Sequence, residues 1–147
     1  MSVYSSEISQ MINKILEKAV YKKDGDKSIL PEEVTLLNFF ILKRIDEKNK
    51  IISTDLRDEI GVDYNTIRKE ICNLENLGLV ERNEDPRDKR KKFIQVTEHG
   101  KEQIKKVNWL IEDKLQFVIN NFSVNEEKAV LKFLSRINQL TLSPPKK

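Results

Sequence analysis

TDLRDEIGVDYNTIRKEICNLENLGLV, residues 54–80, decides how this chain folds. Ser53 or Thr54 is suited to cap a short helix with Leu56 and Ile60 facing inward, and Gly61 stands where that helix should end. Asp63 offers a second cap. The helix after it should run to about Leu77, with Ile67, Ile71 and Leu74 on one face and Gly78 as its stop. A short glycine-containing turn between two such helices sets them at a steep angle, the geometry of a helix-turn-helix. Burying the apolar face turns Tyr64, Asn65, Thr66, Arg68 and Lys69 outward, with Asn73 further along as a weaker candidate for a phosphate contact. Asn and Arg can pair with base edges in a major groove, while Thr and Tyr can bond phosphates or touch thymine methyls. After the cap, the first half of this helix carries two bases, Arg68 and Lys69. Glu70 and Glu75 follow where a helix leaving a groove tolerates them. The plainer alternative is a solvated polar face.

Two strands, LVER (79–82) and KFIQVT (92–97), should flank the loop that follows. Residues 82–92 hold the bases Arg82, Arg87, Lys89, Arg90, Lys91 and Lys92 and the acids Glu84, Asp85 and Asp88. Six bases against three acids make this segment +3, equal to the formal charge of the whole chain, so the electropositive feature is local. A long arginine at a hairpin tip loses up to roughly 2 kcal/mol of rotamer entropy on binding. A neighbouring carboxylate can orient it beforehand. Arginine at a narrow minor groove reads shape rather than bases.

Outside this centre the chain reads as helices. Residues 3–20 carry Val3, Ile8, Met11, Ile12, Ile15, Leu16, Ala19 and Val20 at spacings of three and four, and 21–28 is a polar loop. Pro31, Glu32 and Glu33 look like the start of a helix reaching Lys48, apolar around most of its circumference through Val34, Leu36, Leu37, Phe39, Phe40, Ile41, Leu42 and Ile45. KIIS (50–53) is a stub of strand. Residues 97–122 form a long helix with a stripe of Ile104, Val107, Leu110 or Ile111, Leu115, Val118 and Ile119. Ser123 and Glu126 form a capping box for a last helix bearing Val130, Leu131, Phe133, Leu134, Ile137 and Leu140; the tail, SPPKK, should fray. The order predicts a mainly helical α+β chain, a winged helix-turn-helix at about 30–100. Three amphipathic helices outside it, at about 3–22 and 100–142, suggest a partner surface. At 147 residues the whole is expected to be a single domain.

This arrangement resembles the MarR family of transcriptional regulators, which includes the SarA-like regulators of Gram-positive bacteria. The stretch Leu56–Val80 follows the family's apolar positions and glycines. The wing offers Arg82, Asp85-Pro86, Asp88, Arg90 and then Val96-Thr97-Glu98-His99-Gly100, matching the family's spacing. The resemblance implies a homodimer on double-stranded DNA, with terminal helices intertwined across a two-fold axis and each wing along the backbone or in the minor groove. It makes Arg90 the wing arginine, held by Asp88, and Thr97 the cap of the long helix. Arg87, Lys89 and Lys91 join Arg90 as expected wing anchors. Asn65-Thr66 stands where Ser-Thr is common in the family, and Tyr64 where a base is frequent, so the DNA sequence preference does not carry over.

The remaining features exclude more than they add. There is no Gly-rich phosphate loop or nucleophile–base signature, so no catalysis is expected. With one histidine, His99, and one cysteine, Cys72, neither a metal site nor any other cofactor is expected, nor an internal disulfide. Cys72 reads as a small, half-buried residue at a helix flank, and its isolation fits a reducing cytoplasm. Trp109, Phe117, Phe122 and Phe133 read as core or dimer-interface packing. No apolar run reaches the length of a membrane span. A small-molecule effector is left unidentified, and a winged-helix protein-interaction module without DNA binding stands as the alternative function.

Overall fold

The computed structural model describes residues 2–20, 30–31 and 33–140. The expected 21–28 loop, Glu32 and the 143–147 tail lie outside the described residues. Element order is α1 (Ser5–Val20), α2 (Leu36–Lys48), α3 (Ser53–Ile60), α4 (Tyr64–Asn76), β1 (Val80–Glu84), β2 (Lys92–Val96), α5 (Glu98–Ile119) and α6 (Val124–Asn138). The described residues form a mainly helical α+β chain with one two-stranded antiparallel sheet. The chain divides into two units, Met1–Trp109 and Leu110–Lys147.

The first unit holds the core. Phe39, Ile41, Leu42 and Ile45 of α2 meet Leu56 of α3, Ile67, Ile71 and Leu74 of α4, and Ile94 and Val96 of β2. Ile104 and Val107 carry this core into the N-terminal half of α5. The inward faces expected of α3 and α4 are therefore the observed ones, with Ile60 at the core's edge. α2 differs from expectation on one side. Phe40 is 55% exposed, so the helix is buried over one broad face rather than all round.

Two helix starts also differ, for physical reasons that lie in the caps. Pro31 does not open α2. The Val34 amide donates to the Pro31 carbonyl at 3.0 Å, which closes a turn ahead of the helix. The helix begins after Thr35, whose hydroxyl accepts from the Asn38 amide at 3.1 Å while Asn38 Oδ1 accepts from the Thr35 amide at 3.1 Å. This reciprocal box satisfies two donors that a helix end leaves open. Likewise, neither Ser53 nor Thr54 caps α3. Ile52 occupies the cap with extended backbone and no side-chain bond. Its position follows from the residue before it: Ile51 pairs with Ile94 in an antiparallel bridge, donating at 3.1 Å and accepting at 2.8 Å. The expected strand stub is this single bridge. The chain reaches it through Asn49, at φ 63° and ψ −54°, where the Lys50 amide donates to the Lys48 carbonyl at 2.7 Å. That is the geometry of a γ-turn.

Gly61 ends α3 at φ 78°, in the left-handed region that costs a residue with a Cβ most. Gly100 serves a different need. A Cβ there would stand 2.2 Å from the Leu79 carbonyl oxygen and 2.6 Å from a Val96 methyl, so the first turn of α5 packs on the strand edge only because this position is bare. Thr97 caps that helix as expected, its hydroxyl accepting from the Gly100 amide at 3.1 Å and donating to the Gly78 carbonyl at 2.6 Å.

α1 belongs to the first unit, yet Tyr4, Ile8, Met11, Ile15 and Leu16 are exposed. In the second unit, the capping box at the start of α6 forms as expected, Ser123 Oγ accepting from the Glu126 amide at 3.2 Å and Glu126 Oε2 from the Ser123 amide at 2.7 Å. No residue of α6 is buried. Its stripe of Val130, Leu131, Phe133, Leu134, Ile137 and Leu140 faces solvent, as do Ile111, Leu115, Phe117 and Val118 of α5.

Candidate nucleic-acid interface

α4 stands on the core by Ile67, Ile71 and Leu74, at i, i+4 and i+7. That choice of face turns Tyr64, Asn65, Arg68, Lys69 and Asn73 to solvent, all exposed. Thr66 differs. It is half-buried, and its hydroxyl donates to Asp63 Oδ2 at 2.7 Å while its amide donates to Asp63 Oδ1 at 2.8 Å. Its hydroxyl proton is thus engaged in capping, leaving only its lone pairs for a ligand. The same bonds, the Thr66 amide first, hold the Asp63 carboxyl below its ordinary value of 3.8. Cys72 lies one turn beyond Arg68 and is exposed rather than half-buried. The face on which it sits is the polar one, because Ile71 and Leu74 take the core positions around it.

The acids of α4 turn to the protein, a feature that periodicity does not reveal. Asn38 is 2% exposed and donates through Nδ2 to Glu70 Oε2. Glu75 accepts from Arg82 Nε across the gap to β1. Arg82 therefore leaves the basic patch expected at the wing. A signal existed for the first pair: an asparagine inside the apolar run LLNFFIL must find a polar partner when the helix is buried. The partner, 32 residues away, has no local signature.

β1 and β2 pair antiparallel from Val80 opposite Val96 to Glu84 opposite Lys92. The Asp85 amide donates to the Lys91 carbonyl at 2.9 Å and closes the loop. Within it the two aspartates act on backbone. Asp85 Oδ1 accepts from the Arg87 amide at 2.9 Å, and Asp88 Oδ1 from the Arg90 amide at 3.0 Å. These are Asx-turns, which replace a backbone acceptor by a side-chain one. Asp88 is thus in the wing as expected, but it fixes the arginine's main chain and not its guanidinium. Among the described residues, no ion pair involves Arg87, Lys89, Arg90 or Lys91, nor Arg68 or Lys69 on α4. Other bases of this unit do pair: Arg44 and Lys48 with Glu59, Arg57 with Asp58, Arg82 with Glu75. Unpaired cations on a helix and a loop of fixed backbone are ready for anions at little electrostatic cost.

His99 is exposed, and the described residues contain no cluster of His, Cys, Asp or Glu able to hold a metal ion. No described helix is long and apolar enough to cross a membrane.

Comparison with known proteins agrees with this geometry. Residues 34–100 match the family of the winged helix DNA-binding domain. The chain is 25% identical over 89 residues to YdgJ, an uncharacterized HTH-type transcriptional regulator of Bacillus subtilis (strain 168), covering 60% of this chain and 54% of that relative, so it spans about half the relative's length. The multiple antibiotic resistance repressor MarR superposes with a TM-score of 0.66 at 20% identity, over 93% of this chain and 96% of MarR. FabT of Streptococcus pneumoniae, solved in complex with DNA, gives 0.67 at 18% identity over 92% and 91%. A mutant MarR from E. coli complexed with operator DNA gives 0.61 at 20% identity over 93% and 99%. Residues 34–100 are thus similar to the winged helix DNA-binding domain, and the chain has the fold of MarR.

Proposed function

We propose that this chain is a sequence-specific, double-stranded DNA-binding regulator of transcription, acting as a homodimer in the cytoplasm. Tyr64, Asn65, Thr66, Arg68 and Lys69 read or position bases in the major groove, and Asn73 contacts phosphate. Arg87, Lys89, Arg90 and Lys91 anchor the wing on the backbone or in the minor groove, on a loop whose shape Asp88 holds. The observation that carries this reading is the asymmetry of pairing: the bases of α4 and the wing tip lack acidic partners among the described residues, while the acids beside them bond backbone amides, the buried Asn38 or Arg82 at the base of the wing. The relatives solved with DNA support it.

The dimer rests on the apolar faces of α1, the second half of α5 and α6, exposed in the single chain. Isolated patches on monomers rarely run so long without a partner. A second copy supplies one by two-fold symmetry. The chain then acts as one domain, with the winged part at about 30–100 and dimerisation helices at about 3–22 and 100–142. Two recognition helices enter successive major grooves of a pseudo-palindrome, about 10 bp apart.

A footprint of the purified protein on the DNA upstream of its own coding sequence, at about 50 and 200 mM salt, tests the reading. Two protected half-sites one turn apart, with protection falling steeply at the higher salt, are expected. No salt-sensitive protection of any duplex would instead favour a winged module that binds protein.

A further inference from the structure

We infer that Asn38 is a positioning residue for DNA discrimination, acting through Glu70 on the recognition helix; the inference rests on the DNA-binding function proposed above. Asn38 is the one polar side chain among the buried described residues. Its carboxamide is divided between two elements. Oδ1 accepts from the Thr35 amide and so completes the cap of α2, while Nδ2 donates to Glu70 Oε2 on α4. Glu70 directly follows Lys69 and stands two residues after Arg68, both exposed candidate DNA contacts, but its own side chain is half-buried and turns to Asn38.

A buried amide costs stability unless both its ends are satisfied, so the core sets the geometry of this bond closely. Apolar packing of Ile67, Ile71 and Leu74 resists separation of α4 from the core but resists rotation and sliding weakly, because dispersion contacts have no direction. A directional bond halfway along α4 supplies that resistance. Rotation of α4 by a fraction of a residue would move the Arg68 head out of register with a base edge, and binding would lose discrimination before it lost affinity for phosphate. The same carboxamide ties the Thr35 cap to α4, so displacement of the chain entering α2 would reach the recognition helix through a single side chain.

The test swaps donor and acceptor. Asn38→Asp keeps an acceptor for the Thr35 amide but sets a second carboxylate against Glu70. Adding Glu70→Gln to it restores a donor–acceptor pair with the polarity reversed. The readout uses full-length protein, a duplex selected in vitro by the wild-type protein and a scrambled duplex of equal length, and reports the ratio of the two affinities. Asn38→Asp should lower that ratio about tenfold, the equivalent of 1.4 kcal/mol, with affinity for the scrambled duplex changed about twofold at most. The paired substitution should bring the ratio back to within about twofold of wild type, the signature of a coupled pair. Loss of both affinities in proportion to a fall in Tm would reduce Asn38 to a stabilising residue and overturn the inference. A wild-type ratio in Asn38→Asp, or no recovery in the paired variant, would overturn it equally. If the wild-type protein selects no duplex at all, the function proposed above fails and this inference with it, an outcome distinct from the other three.

Discussion

Leucine in α3 and leucine in α6 lead opposite lives. Leu56 is fully buried, while Leu131 is 66% exposed, although both sit on stripes of helical period. The difference teaches that amphipathicity states only that a face needs cover and never says who supplies it. In the winged part the cover comes from the same chain: α2, α3, α4 and β2 close on one another. For α1 and α6 it does not. Charges divide the same way. Arg82 is satisfied by Glu75, whereas Arg90 has no acidic partner among the described residues. Groups satisfied inside the chain build the fold, and groups left over mark what the chain meets.

Substitution in the closed part should have the largest effect. Ile71 is 1% exposed and central to the α4 face. Ile71→Ala should remove about 2–5 kcal/mol of stability, from reduced burial and the cavity left behind, measured by urea denaturation. The loss should be the same at every protein concentration. A change below about 0.5 kcal/mol, the level of ordinary surface sites, would mean that α4 is not held as described.

The open part should answer differently. Leu131→Glu together with Leu134→Glu places two charges on the exposed stripe of α6. On a chain that works alone this would be near neutral. On a homodimer it should weaken association at least about 100-fold, since a charge buried in an apolar interface without a partner is costly. Sedimentation of wild type as a dimer and of the variant as a monomer is expected. Wild-type protein that sediments as a monomer at all concentrations would remove the dimer from the proposed function.

Legibility in the sequence followed the same division. The α4 face and its Asp63 cap, the capping box of α6, the strand–loop–strand of the wing and the Thr97 cap are local patterns, and each forms as expected. What escaped was decided at long range or by an unusual cap. Thr35 displaces Pro31 as the start of α2 because Asn38 completes a box usually closed by Glu or Gln. Ile52 displaces Ser53 and Thr54 because Ile51 is anchored to Ile94, far along the chain. Phe40 could not be told from its buried neighbours in an unbroken apolar run. In the interface, the positions of the bases were readable, but the tasks of the acids were not. Asp88 reaches a main-chain amide, Glu70 a buried amide 32 residues distant, and Glu75 an arginine at the base of the wing.

The paired and unpaired arginines offer a finer contrast. Arg90→Ala should weaken binding to every duplex and reduce the steepness of the salt dependence by about 1 in the log–log slope, as follows when one phosphate fewer is neutralised. Arg82→Ala should leave that slope unchanged, because its charge already faces Glu75; its effect should be a modest loss of stability, about 1 kcal/mol or less for a half-exposed pair. Equal slopes for Arg90→Ala and wild type would show that the unpaired wing base meets no phosphate.

The smallest effect expected is one of pH, and it comes from Asp63. The Thr66 amide and hydroxyl hold its carboxyl below the ordinary 3.8. Its pKa in the folded chain is therefore lower than in the unfolded one, and the carboxylate stabilises the folded state wherever both forms are ionised, above the unfolded value. As pH falls through 3.8 the unfolded chain takes up the proton first. The contribution then shrinks, and it is gone once the pH passes below the folded value. Because Asp63 is exposed, solvent screens the effect, and the change in Tm should be small. Asp63→Asn keeps an acceptor for the Thr66 amide but removes the charge, so its difference in Tm from wild type should be constant from about pH 5 to 8 and close up below about pH 4. A difference that instead widens on acidification would mean that the Thr66 bonds do not favour the ionised carboxylate, and that the start of the recognition helix is held by something other than this cap.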